Sequence, residues 1–173
     1  MVQVERSVTI NRTRDEVYDC WRDLDNLPRL FDRVEEVEYV AVGRTHWSVR
    51  GPGGVSIKWD AEITVERPGD VLAWRSLEGA DVHNEGRIEF RDAPPGRGTE
   101  MRVVVTYEPP AGALGTLVAK MTGNDPKHYL RETLRRFKQV AETGEVLLSD
   151  GRPQGAGADA VHPAQPAEPK VPS

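Results

Sequence analysis

The chain has little with which to staple itself together or hold a metal. It carries one cysteine, Cys20, in 173 residues. That excludes an internal disulfide framework and any multi-cysteine zinc site. No apolar run approaches the roughly 20 residues that a membrane helix needs, so no integral membrane segment is expected. An excess of positive charge is also missing: 23 Lys+Arg stand against 28 Asp+Glu, a formal charge of −5. Nucleic-acid binding draws on a basic surface that displaces counterions, so no nucleic-acid partner is expected. The opening residues Met1 to Arg6 contain no apolar h-region. A cytoplasmic location is therefore expected, and the Asn11-Arg12-Thr13 sequon carries no glycan there.

Cofactor motifs are lacking too. Gly51-Pro52-Gly53-Gly54 has neither Walker spacing nor a following Lys-Ser/Thr, and it lies between two strand patterns, so it reads as a hairpin connection. No cofactor and no metal are expected. What is present is a chain with a core-sized share of apolar residues, 38%, and a sharp change in composition near Asp150. From Asp150 to Ser173, 13 of 24 residues are Ala, Gly or Pro. Such a segment buries too little surface to offset its ordering entropy, which predicts one domain over 1–148 and a disordered tail over 149–173.

The body alternates at period two, the signature of half-buried strands. Strands are predicted at Val2–Ile10, Val34–Val42, Thr45–Arg50, Val55–Glu66, Val71–Leu77, Val82–Arg91 and Thr99–Glu108. In the fourth, Val55, Ile57, Trp59, Ala61, Ile63 and Val65 share one face, with Lys58, Asp60, Glu62 and Glu66 on the other. This predicts an antiparallel sheet with one covered and one wet face. Thr13 and Glu16 form a capping box for a first helix reaching about Arg22. Asn26-Leu27-Pro28 opens a second short one. Ala113–Thr143 is the helical segment that covers the sheet, restarting at Asp125 with Pro126 at its first position and ending at Gly144.

This order of elements resembles the helix-grip fold of the START-like (SRPBCC) superfamily, in its bacterial polyketide cyclase/dehydrase and coenzyme Q-binding-like branch. The residues that carry the resemblance are Val4 to Ile10, Cys20 to Pro28, Trp59 to Ile63, Ala73 to Ser76 and Arg135 to Lys138, over about 1–145. The resemblance implies an α+β architecture, with a seven-stranded antiparallel sheet wrapped around the long C-terminal helix and two short helices after the first strand. It also implies a cavity for an apolar ligand between sheet and helix. The superfamily includes lipid carriers, aromatase/cyclases and ligand receptors, so the site must choose among them.

Asp81, His83 and Glu85 alternate on one strand and share a face, a spacing that suits metal ligands, but that face is the wet one. Cys20 sits on the buried side of its helix with no readable base, as an inert thiol. Lys127, Arg131, Arg135 and Lys138 line the outer side of the last helix as a solvated basic stripe. The inward aromatics say more. Tyr39, Trp47, Trp59, Trp74 and Tyr107 fall on the covered phase, and four of the 11 aromatics are tryptophan. Large aromatics fill cores, and they also line ligand pockets, where their N–H and O–H groups direct contacts. Ser76 and Asn84 are the other polar residues on that phase. Asn84 must bond either to a backbone group at a bulge, which Gly86 would favour, or to a ligand.

The ligand-binding set is therefore Tyr39, Trp47, Trp59, Trp74, Ser76, Asn84 and Tyr107. No Asp, Glu, His, Lys or Arg falls on the inward phase of a central strand. That favours non-catalytic binding of a small hydrophobic partner, whether lipid, quinone or polyketide-like. A polyketide cyclase/aromatase-type enzyme is the alternative, because acid–base chemistry needs titratable groups in the pocket. A slip of the alternation at a bulge would bring Arg75 or His83 inward and reopen it. The sequence assigns no oligomeric state.

Overall fold

The computed structural model describes residues 1–144 apart from 32, 110 and 122–124; at 52, 113, 114, 117, 118 and 121 it describes the backbone alone. Seven antiparallel strands form an open sheet in the order β1-β7-β6-β5-β4-β3-β2. They are β1 (Val2–Ile10), β2 (Val34–Ala41), β3 (Arg44–Arg50), β4 (Ser56–Arg67), β5 (Val71–Ser76), β6 (Asn84–Asp92) and β7 (Thr99–Tyr107). Strands β2 to β7 are a meander of hairpins. β1 closes the far end by pairing with β7, from Val2 opposite Tyr107 to Ile10 opposite Thr99. Helices α1 (Arg14–Arg22) and α2 (Leu27–Leu30) follow β1, and α3 (Gly112–Met121) and α4 (Pro126–Thr143) follow β7. This is the helix-grip architecture, α+β, that the resemblance implied. The segment 149–173 lies outside the described residues.

Local chemistry sets the helix ends as the sequence predicts. Thr13 Oγ1 accepts the Glu16 N–H at 3.2 Å, and the Glu16 carboxylate accepts the Thr13 N–H at 3.2 Å, a reciprocal capping box. Asp125 accepts the His128 N–H at 3.1 Å, with Pro126 next, where its missing N–H costs nothing. Gly144 adopts φ 75°, the left-handed geometry in which its N–H reaches the Val140 carbonyl at 2.8 Å.

The C-terminal half of α4 meets a solid core. Phe137 and Phe90 are both fully buried, with Ile10 and Met101 beside them. Edge-to-face contacts of Trp21 on Phe137 (5.4 Å) and Tyr18 on Phe90 (5.7 Å) pin α1 to the same core. Truncating a side chain such as Phe137 to alanine would cost about 3–5 kcal/mol, the range for emptying an aromatic site in a packed core. The N-terminal half of α4 has no such filling beneath it.

The alternation breaks within β4, as it does in the edge strand β2. The β4–β5 register shifts between Ile63 and Val65, leaving Thr64 as the extra residue of a bulge. Beyond it every side chain of β4 changes sides. Val65 is 38% exposed, and Glu66 lies opposite the core residue Leu72. The sequence expectation that Val65 faces inward and Glu66 outward is thus reversed. The slip does not bring Arg75 or His83 inward: both are exposed, and Arg75 pairs with Glu62 on the outer face. β6 also begins two residues later than expected, at Asn84. Asp81 and His83 therefore precede the strand and do not share a strand face with Glu85. The Asp81 carboxylate accepts the Lys58 N–H at 2.8 Å instead.

Candidate functional site

The space beneath the N-terminal half of α4 is a cavity of about 310 Å³. Its floor is the inner face of the sheet. Trp47 and Trp59 stand opposite each other on β3 and β4, their rings parallel, 5.7 Å apart and 7° from coplanar. Phe31 packs edge-on against Trp47 at 6.4 Å. Trp74 continues the wall on β5, and Val103 and Val105 on β7 supply the aliphatic side. Tyr129, Leu130, Thr133 and Leu134 of α4 form the roof, and Trp21, Leu24 and Leu27 close the end beside α1.

Five of the seven residues expected from sequence line this cavity: Trp47, Trp59, Trp74, Asn84 and Tyr107. Two do not. Ser76 accepts the Asn84 backbone N–H at 3.0 Å and so fastens β5 to β6. Tyr39 lies on the edge strand β2, just before a register shift between Tyr39 and Ala41, and is 46% exposed. Its ring lies under the Arg22 guanidinium at 5.4 Å, outside the cavity wall. The residues that alternation missed come from non-strand segments: Trp21 and Leu24 near α1, Phe31 in the following bend, and Tyr129 on α4. Their helical or irregular spacing carries no sheet phase.

Most polar atoms in the wall are already matched within the protein. Trp47 Nε1 donates to Thr45 Oγ1 at 3.0 Å. Asn84 Nδ2 donates to the Val82 carbonyl at 3.0 Å, and its Oδ1 accepts from Trp74 Nε1 at 3.4 Å. The Tyr107 hydroxyl makes no hydrogen bond among the described residues, and burial pushes its pKa up. Glu62 borders the cavity, but Arg75 Nε holds its carboxylate at 2.6 Å on the outer face.

The bulge in β4 adds titratable groups that alternation had excluded. Glu66 sits under α1, where Arg22 Nε meets Oε1 at 3.0 Å and the Tyr18 hydroxyl donates to the same oxygen. Desolvation, and then this bond to a carboxylate, push the Tyr18 pKa up to about 12. Arg22 is also part of the cavity lining, with its side chain 29% exposed, so this cluster stands where the cavity meets solvent. Cys20 is partly buried, and burial raises its thiol to about 11, which suits an unreactive role. Of the four cations expected as a stripe on α4, Arg135 pairs with Glu132, Lys138 with Glu142 and the Thr9 carbonyl, and Arg131 meets His128 at 2.6 Å.

Comparison with known proteins agrees with this architecture. Residues 1–142 match the family described as polyketide cyclase/dehydrase and lipid transport. An uncharacterised 17.2 kDa protein of Streptomyces lincolnensis is 26% identical over 145 residues, covering 82% of this chain and 91% of that one. A crystal structure from Deinococcus radiodurans is 38% identical with a TM-score of 0.67, covering 83% of this chain and 99% of that one. The aromatase/cyclase of Streptomyces sp. R1128 shares the fold at 17% identity and a TM-score of 0.58, covering 83% of this chain and 98% of its own. A START-like helix-grip domain whose matched residues run from the first strand nearly to the end of the last helix leads to one assignment: the chain belongs to the polyketide cyclase/dehydrase and lipid transport family.

Proposed function

We propose that the protein binds a small, mostly apolar molecule, polyketide-like, quinone-like or a single-chain lipid, in the cavity between the sheet and α4, and does so without covalent chemistry. The observation that carries this reading is the tryptophan wall. Trp47, Trp59 and Trp74 line about 310 Å³ of space, and their polar neighbours are mostly satisfied within the protein. That volume is at the lower end of the roughly 300–1,000 Å³ of small-molecule pockets. It suits a ring system or one short chain rather than a two-chain lipid. The Tyr107 hydroxyl, unbonded among the described residues, offers a directed hydrogen bond inside a mostly apolar site.

Native mass spectrometry of protein purified from its own host tests this directly, together with titration by an apolar fluorophore. A co-purifying small molecule, or saturable one-to-one quenching of tryptophan emission, is the expected result. Absence of both would remove the reading. A cyclase is the second reading, favoured by one feature: the Glu66–Tyr18–Arg22 cluster puts titratable groups at the edge of the cavity. Turnover of a poly-β-ketone substrate that is lost in Glu66→Gln would support it.

A further inference from the structure

The bulge at Thr64 has a consequence for ligand chemistry. It turns Glu66 inward opposite Leu72, where the carboxylate meets Arg22 Nε at 3.0 Å. The Tyr18 hydroxyl donates to the same carboxylate, the Tyr39 ring lies beneath the guanidinium at 5.4 Å, and the Tyr39 hydroxyl donates to the Arg22 backbone carbonyl at 3.4 Å. Arg22 is thus oriented by three elements, α1, β2 and β4, and still forms part of the cavity wall. Among the described residues its one ion pair, with Glu66, runs through Nε. A guanidinium has five N–H donors in a planar fork that matches a carboxylate bidentately. Around it the cavity is apolar, so a ligand lying in the cavity finds its strongest polar complement here.

We propose that Arg22 is the anchor for a carboxylate at the end of an apolar ligand, and that Glu66 is the internal anion with which that carboxylate competes. The proposal rests on the reading that the cavity binds a small apolar molecule. In the free protein Glu66, itself bonded to Tyr18, and the Tyr39 ring hold the guanidinium in place, so little side-chain freedom is lost on binding. In the complex the ligand carboxylate takes the outer donors while the ring or chain lies against Trp47 and Trp59. The repulsion between the two anions limits affinity, which gives the two residues opposite signatures.

The test uses the full chain with 1-pyrenebutyrate and its methyl ester, read by energy transfer from tryptophan to pyrene. Arg22→Gln is expected to weaken the acid by about tenfold and to leave the ester within about twofold, the loss of one charge-assisted contact. Glu66→Gln keeps a hydrogen-bond acceptor for Tyr18, removes the competing charge, and is expected to tighten the acid several-fold. If Arg22→Gln fails to fold, the sign of the Glu66→Gln effect decides alone. Equal weakening of acid and ester by Arg22→Gln, or an acid affinity that Glu66→Gln leaves unchanged or lowers, overturns the anchor. If the wild-type chain binds neither probe, the cavity reading falls with it. If it binds the ester but Arg22→Gln leaves the acid unaffected, only the anchor falls.

Discussion

The indole of Trp74 lies directly across Gly86. The two are cross-strand partners on β5 and β6, and a Cβ built on Gly86 would fall within 2.7 Å of three atoms of the ring. Gly86 is therefore the reason Trp74 can lie against the sheet as part of the cavity wall. The space that a missing side chain leaves at Gly86 is filled by protein and is not open to a ligand. Trp74 Nε1 in turn reaches Asn84 Oδ1, two residues earlier on the same strand as Gly86. One small residue thus fixes the position of one wall of the site.

Gly86→Ala should accordingly be destabilising, although alanine is the better residue for a regular strand. The methyl would push Trp74 off the sheet, an overpacking cost of about 1–3 kcal/mol. Urea denaturation measures it, and the Trp74 displacement should appear as a red shift of native tryptophan emission. Unchanged stability would mean that the ring has an alternative position at no cost.

Asn84→Leu is expected to lower stability by about 1–2 kcal/mol, because it leaves the Val82 carbonyl and Trp74 Nε1 without their partner in a partly buried place. Affinity for an apolar fluorophore should change little. The reverse outcome, intact stability with weakened binding of a polar-headed ligand, would give the amide to the ligand.

Tyr18 predicts an alkaline loss of stability. Its folded pKa, about 12, lies above its ordinary value of 10.0. The folded state therefore keeps a proton that the unfolded chain releases first. The contribution is fully present below pH 10 and is lost as the pH rises from 10 towards 12. Tyr107 and Tyr39 are raised as well and act in the same direction. Urea midpoints at pH 9 and pH 11 should fall more for the wild type than for Tyr18→Phe, which is the measurement that checks it.

Cys20 should react slowly with thiol reagents in the native state. A thiol raised by burial from 9.0 to about 11 has about one hundredth of the thiolate at neutral pH. A Cys20 that labels as fast in buffer as in urea would show that the end of α1 opens readily.

How far the site could be read in advance depended on which rule governs each residue. Trp47, Trp59, Trp74, Asn84 and Tyr107 were legible because side chains alternate strictly in regular strands, and each lies where no bulge intervenes. Tyr39 follows the same phase on paper but belongs to an edge strand with a shifted register, so it sits beside Arg22 outside the cavity wall. Ser76 is near the end of β5, where its hydroxyl is taken by the Asn84 N–H.

Short-range chemistry in the sequence determined the helix caps at Thr13, Asp125 and Gly144, the hairpin order of the strands and the inward tryptophans. Each of these depends on residues a few positions apart. The tertiary structure alone decided the rest. Whether β4 bulges at Thr64 is set by its pairing with β5, and that pairing turns Glu66 under α1, 44 positions along the chain from Arg22. Whether the inward tryptophans fill a core or border a cavity is set by how far α4 descends onto the sheet. Phe137 and Phe90 pack solidly at one end, while Trp47 and Trp59 face open space at the other. A periodic pattern states which side of a strand is covered, but the depth of the cover is a property of the whole packing.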